Sequence, residues 1–128
     1  MTTQTSTVIS TQSKYTLAEI AYKKREYKQS ETHVRELLKM KPSYGYWVAK
    51  ALILQTRNLI QLEDLFQAEH TLNSVIRNYA DQTDGILDEA NELMQELMQL
   101  KDKPKSIEER GDYIIDMNEE LQEGGSND

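Results

Sequence analysis

The chain has 128 residues, 15 Lys/Arg against 22 Asp/Glu, and no cysteine, which bounds it to one domain and excludes disulfides, thiolate metal sites and cysteine nucleophiles. A net charge of −7 argues against nucleic acid as a partner, and the Thr/Ser/Gln-rich start, with neither a basic cluster nor an apolar core, does not read as a secretory signal. No apolar run approaches the ~18 residues of a spanning helix, so membrane insertion is not expected, and the compartment stays open: cytoplasmic, or periplasmic if the chain is part of an exported protein.

Only two Pro and five Gly, with a middle rich in Leu, Glu, Gln, Lys and Ala, predict long helices. Residues 1–12 read as a partly flexible tail, in which Val8 and Ile9 begin a helix continued at helical spacing by Tyr15, Leu17, Ala18, Ala21 and Tyr22. A polar turn at 23–26 leads into a second helix over 27–40, stopped by Pro42, which lacks an N–H and clashes with the preceding turn. Pro42-Ser43-Tyr44-Gly45 is a linker. A third helix over 46–62, a tight turn at Glu63-Asp64 and a fourth helix over 65–79 make the most regular stretch of the chain. After a loop at 80–85, with Thr83 or Asp84 as N-cap, a fifth helix over 86–101 puts Ile86, Ala90, Leu93, Leu97 and Leu100 on one stripe. Met94 and Met98 widen that stripe, and Asp88, Glu89, Glu92 and Glu96 cover the opposite side. The acidic tail, 102–128, contains a capping-box pattern at Ser106-Ile107-Glu108-Glu109 and outlines a short helix over 107–122, which either frays or docks its apolar stripe into a groove.

The second and fourth helices share one pattern. Tyr27, Ser30, Val34, Leu37 and Leu38 stand at offsets 0, 3, 7, 10 and 11, and so do Leu65, Ala68, Leu72, Val75 and Ile76, displaced by 38 residues. Under the same displacement Tyr15 aligns with Ile53, Ala18 with Thr56, Ala21 with Leu59 and Tyr22 with Ile60. This is an internal repeat of a helical hairpin, and such hairpins stack because one alone cannot bury both faces. Charge is distributed unevenly over the repeats: residues 1–64 hold 10 Lys/Arg against 6 Asp/Glu, or +4, and residues 65–128 hold 5 against 16, or −11. Two differently solvated faces explain that asymmetry, as does head-to-tail stacking or a basic patch for an acidic partner.

The 38-residue hairpin period resembles the tetratricopeptide repeat, whose period is about 34 residues. Its positions are matched by Leu17, Ala18, Tyr27, Ser30, Leu37 and Pro42 in the first repeat and by Thr56, Leu65, Ala68 and Leu72 in the second. Arg25 and Glu63 stand where the family has the glycine of the inter-helix turn, Lys14 and Leu52 where it has an early Trp, Ala80 at the second terminal Pro, and Gln55 at a core Leu. Across residues 10–100 the chain is similar to the terminal segment of long bacterial proteins of this class, through Tyr46-Trp47-Val48-Ala49-Lys50-Ala51, Phe66-Gln67-Ala68 and an acidic loop before a last helix.

The resemblance implies an all-α fold: a right-handed α-α superhelix of two hairpins (13–42 and 46–80) with a capping helix, together spanning 13–101. It implies a non-catalytic scaffold that binds a peptide or partner protein along its concave face; the alternative is a structural end-cap of a longer array, or a self-associating module without a ligand of its own. The family's groove positions fall on Tyr15, Glu19 and Tyr22 in the first repeat and on Lys50, Ile53, Arg57 and Gln61 in the second. Lys50 and Arg57 lie seven apart on one helix face, about 10 Å by helix rise, and two cations there suit a peptide carboxylate. The family's chaperone-type carboxylate clamp is absent, since Tyr15 and Glu19 occupy its sites.

Other constellations carry less. Gln55-Thr56-Arg57-Asn58 interrupts the most apolar helix; Arg57 and Asn58 read as its solvent side, Gln55 and Thr56 as a buried polar contact between helices. His33 and His70 stand alone on outward positions, and the spacing of Asp81, Asp84 and Asp88 is not that of a calcium loop. No nucleophile–His–acid order or Gly-rich phosphate loop is present, so neither catalysis nor a cofactor is expected.

Overall fold

The computed structural model describes residues 3–102 and contains α1 (Thr3–Lys23), α2 (Tyr27–Leu38), α3 (Gly45–Gln61), α4 (Leu65–Asn78) and α5 (Ile86–Asp102). The fold is all-α, with no strand among the described residues, and none of its helices is long and apolar enough to cross a membrane. One compact unit runs to Met98; of the second, which starts at Gln99, only the last turn of α5 is described. The helix expected over 107–122 lies outside the described residues.

Helices α1 and α2 form one hairpin and α3 and α4 another, while α3 also packs against both α1 and α2. The apolar spacing explains this arrangement, because α3 is buried on two sides. Ala51 and Leu54 join Ala18, Val34 and Leu37 in a first core, flanked by Tyr15, Tyr22, Leu38 and Val48. Ala49 and Ile53 join Leu72, Val75 and, from α5, Ile86, Ala90 and Leu93 in a second. Each fully buried Leu or Ile contributes roughly 1.5–3 kcal/mol, so α5 is a structural part of the second hairpin's core.

The repeat extends to the backbone of the turns. Glu26 N–H donates to Ala21 C=O and Arg25 N–H to Tyr22 C=O; 38 residues on, Asp64 N–H donates to Leu59 C=O and Glu63 N–H to Ile60 C=O. Both pairs are the Schellman closure of a helix C-terminus, which needs a left-handed residue. Arg25 (φ 65°) and Glu63 (φ 66°) supply it at the two positions where the resemblance places glycine. Asp64 then caps α4 by accepting from Gln67 N–H at 3.1 Å, whereas Glu26 makes no side-chain cap on α2. One difference between the hairpins is chemical. Lys14 and Glu36 join α1 to α2 by an ion pair of 2.8 Å, whose hydrogen bond holds the Glu36 carboxyl below the usual range. The equivalent residues of the second hairpin, Leu52 and Ser74, line an apolar cleft of about 230 Å³ instead.

Several elements differ from expectation. Helix α1 begins at Thr3, so most of the segment read as a tail is its first part. Helix α2 ends at Leu38, with Lys39 as C-cap, four residues before Pro42, which therefore stands in the linker and does not stop the helix itself. Leu17, placed inward by the repeat pattern, is 46% exposed on α1, and Leu100 also is exposed. In the loop before α5, Asp84 accepts from Ile86 N–H at 3.1 Å and from the Tyr79 hydroxyl, anchoring α5 to the end of α4.

The polar run of α3 is arranged differently again. Asn58, expected on the solvent side, is fully buried. Its Nδ2 donates to Ser30 Oγ at 2.9 Å, and Ser30 Oγ donates to Ala18 C=O at 2.8 Å, so one chain of hydrogen bonds ties α3 to α2 to α1. The single hydroxyl proton of Ser30 is spent on Ala18, which requires Asn58 to present its amide nitrogen rather than its oxygen. Gln55 reaches α2 as well, donating to Glu31 Oε2 at 2.8 Å; Thr56 instead donates to Leu52 C=O within its own helix. Asn58 Oδ1 and Gln55 Oε1 are buried without a protein partner among the described residues. Ser30→Ala is expected to cost about 1–3 kcal/mol in urea unfolding, the penalty for a stranded buried donor. Ser30→Ala/Asn58→Leu should recover most of that loss, and equal losses in the two variants would contradict this network.

Candidate functional site

Six of the seven groove residues converge. Tyr15, Glu19 and Tyr22 from α1 and Lys50, Ile53 and Arg57 from α3 line one cavity of about 270 Å³, together with Lys23, Leu54 and Glu89. Gln61 does not join them. It is the exposed last residue of α3, four residues and therefore about 6 Å of helix rise beyond Arg57. The convergence follows from the two-sided burial of α3: with Ala51 and Leu54 directed to one core and Ala49 and Ile53 to the other, the Lys50–Arg57 face is what remains between α1 and α5.

The two cations are not free to meet an incoming carboxylate, as their spacing suggested. Lys50 Nζ lies 3.4 Å from Glu89 Oε1, and Arg57 Nη2 lies 3.5 Å from Glu89 Oε2. One carboxylate from the first turn of α5 thus bridges side chains two turns apart on α3. Glu89 belongs to the acidic row that the sequence places on the solvent side of α5. The available signal was its place in that row: three residues after Ile86 and four before Leu93, it stands at the border of the buried stripe.

Aromatic rings shape the rest of the cavity wall. Lys50 Nζ sits 5.7 Å from the centroid of Tyr15, within the range of a cation–π contact. Tyr15 packs against Trp47 at 5.6 Å between centroids and Trp47 against Tyr46 at 5.0 Å, so a row of rings leads from the cavity to the exposed edge of Tyr46. Burial first, and then the charges of Glu19 and Glu89, push the Tyr15 hydroxyl up from its ordinary value of 10.0 to about 12. Tyr79 is raised to about 12 as well, chiefly by the hydrogen bond it donates to Asp84.

His33, expected to point outward, is half-buried on α2, with Nδ1 3.8 Å from Glu36, whereas His70 is exposed. Among the described residues no three His, Asp or Glu side chains gather into a cluster. No protein-family model, curated protein or solved structure matches the chain.

The raised tyrosines set a direction for alkaline stability. The unfolded chain releases these protons near pH 10 and the folded chain only near 12, so stability is intact below pH 10 and falls as pH rises through that window. Tyr15→Phe should make the fall between pH 10 and 12 shallower in denaturant titrations and remove one late step from the tyrosinate absorbance curve. An unchanged slope and curve would show that Tyr15 ionises like a solvent-exposed ring.

Proposed function

We propose that this protein is a non-catalytic interaction module, and that it receives a peptide or partner protein in the cavity between α1, α3 and α5. The observation that carries the reading is the meeting of Lys50 and Arg57 on a single carboxylate at the wall of an open cavity. Two cations directed at one point by a helix buried on both sides form an anion-binding arrangement whose geometry is fixed by the cores beneath it. At about 270 Å³ the cavity is below the ~300–1,000 Å³ of small-molecule sites; it suits one or two side chains, or a chain terminus, of a larger partner. The row Tyr15, Trp47 and Tyr46 extends this surface with the aromatic, half-buried character that interfaces favour. The reading includes the tetratricopeptide-like character of the hairpins, supported by the 38-residue correspondence of apolar positions and of the backbone hydrogen bonds in the turns, and with it the right-handed winding that the resemblance implies.

A second reading has its own support. Helix α5 completes the second core with Ile86, Ala90 and Leu93 and exposes Asp88, Asn91, Glu92, Gln95 and Glu96 on its other side. A polar outer face is what an end-cap of a repeat array requires. On that reading Glu89 is a staple between cap and repeat, and no ligand enters.

Affinity capture with the intact chain, compared with Lys50→Glu/Arg57→Glu after circular dichroism has established equal helicity, separates the two. The proposal expects at least one bound protein to be recovered about tenfold less by the variant, because reversing both charges replaces attraction by repulsion. Identical recovery of every protein would favour the end-cap.

A further inference from the structure

We infer that Glu89 is a built-in occupant of this site: its carboxylate holds the place of a partner's carboxylate between Lys50 and Arg57, and an acidic peptide binds by displacing it. The inference rests on the reading that the cavity receives a partner, and it adds the partner's chemistry and the device that regulates entry.

The geometry of the three charges supports displacement. Both contacts are long, 3.4 and 3.5 Å, where a well-formed charged hydrogen bond measures about 2.7–2.9 Å. The same protein makes such a bond elsewhere, between Lys14 and Glu36 at 2.8 Å. Glu89 also engages each cation through a different oxygen, so neither contact is bidentate. Arg57 has five N–H donors in a planar fork, and Glu89 meets this fork at Nη2 alone. A carboxylate arriving through the cavity can take two parallel bonds from that fork, which the α5 side chain does not.

The cost of leaving is small. Glu89 is about a third exposed, as is Arg57, so the pair is already in contact with water. Contact with water screens and weakens such pairs, that of Lys50, whose side chain is 23% exposed, less than that of Arg57. Glu89 also stands in the first turn of α5, where the helix dipole favours a negative charge whether or not a cation is near. Rotated into solvent, it keeps that stabilisation.

The charge balance of the cavity selects the occupant. Lys23, Lys50 and Arg57 line the space together with Glu19 and Glu89. Removing Glu89 from between its partners leaves three cations against one anion, and the two on α3 lose their common counter-charge. An anionic side chain or chain terminus restores it, while a neutral or basic segment does not. In the free protein Glu89 competes with any incoming anion for Lys50 and Arg57, so the site favours a carboxylate that takes the bidentate geometry Glu89 does not.

The test uses the full chain and N-acetyl-tetraglutamate, as free acid and as C-terminal amide, titrated in 15N NMR through the α3 amides and the Arg57 side chain. Glu89→Gln is expected to tighten binding about three- to tenfold over wild type, the combined worth of two partly exposed pairs. Glu89→Asp, which keeps the charge but is one methylene shorter, should tighten it less, and this second variant serves if Glu89→Gln folds poorly. Adding Lys50→Gln and Arg57→Gln to Glu89→Gln should abolish binding. Loss of binding on amidation of the probe would assign the subsite to a chain terminus, and retention would assign it to acidic side chains; either supports the proposal. Wild-type or weaker affinity in both Glu89 variants overturns it and leaves the cavity reading standing, because the probe still binds. No binding to any variant overturns both.

Discussion

Everything in this molecule depends on α3 being buried from two sides. The helix has six buried residues, and they serve different neighbours: Ala51 and Leu54 complete the core of the first hairpin, Ala49 and Ile53 that of the second, and Thr56 and Asn58 lie between. A helix enclosed in this way cannot carry an unpaired polar group at low cost. Thr56 meets the requirement by bonding its own helix, and Asn58 meets half of it: its Nδ2 passes a hydrogen bond through Ser30 to the backbone of α1, while its Oδ1 has no protein partner among the described residues. Ser30 and Ala18 in the first hairpin correspond, at the 38-residue offset, to Ala68 and Thr56 in the second, and all four have no exposed surface. Small residues allow the paired helices to approach at these points. In the first hairpin the approach is near enough for a side chain of one helix to bond the backbone of the other.

The cavity is a consequence of the same constraint. Once the sides of α3 are committed to the two cores, the strip bearing Lys50 and Arg57 has no apolar role and faces the space between α1 and α5. Its cations are therefore positioned by the packing of the two cores, to which Ile53 and Leu54 belong while also lining the cavity, and this is how a rigid scaffold holds a binding surface. Glu89 completes the arrangement from α5, whose register is fixed by Ile86, Ala90 and Leu93 beneath it and by Asp84 at its start. Fold and site are linked at this point: the residue by which α5 reaches the cations of α3 is, on the proposed reading, the one that a partner displaces.

Most of the architecture was legible in the sequence because it is periodic. The offsets of the apolar residues in α2 and α4, and their repetition after 38 positions, are enough to place two hairpins, and the separate stripe from Ile86 to Leu97 places the fifth helix. Leu17 was misplaced because the pattern assigns faces by residue type, whereas α1 buries only a narrow stripe through Thr11, Ala18 and Ala21, and Leu17 falls on its flank. Asn58 was misplaced for the converse reason: polarity suggested solvent, but its position on α3 is a core position, satisfied by a serine 28 residues away that no local pattern reveals. Six groove positions could be carried over from the family resemblance and do meet around one cavity. Glu89 could not be found in that way, since it approaches from a helix outside the repeat and its role is set by tertiary packing.

The central claim is that α3 is shared by both cores and so makes the two hairpins one cooperative unit. Native-state hydrogen exchange under low denaturant tests it most directly. If the claim holds, the amides of α3 exchange only through global opening, and those of α2 and α4 join the same isotherm, since neither core survives without α3. If α1 and α2 instead exchange through a separate opening of lower free energy while α3, α4 and α5 stay protected, the hairpins are independent, and the two-sided burial of α3 is not what holds the molecule together.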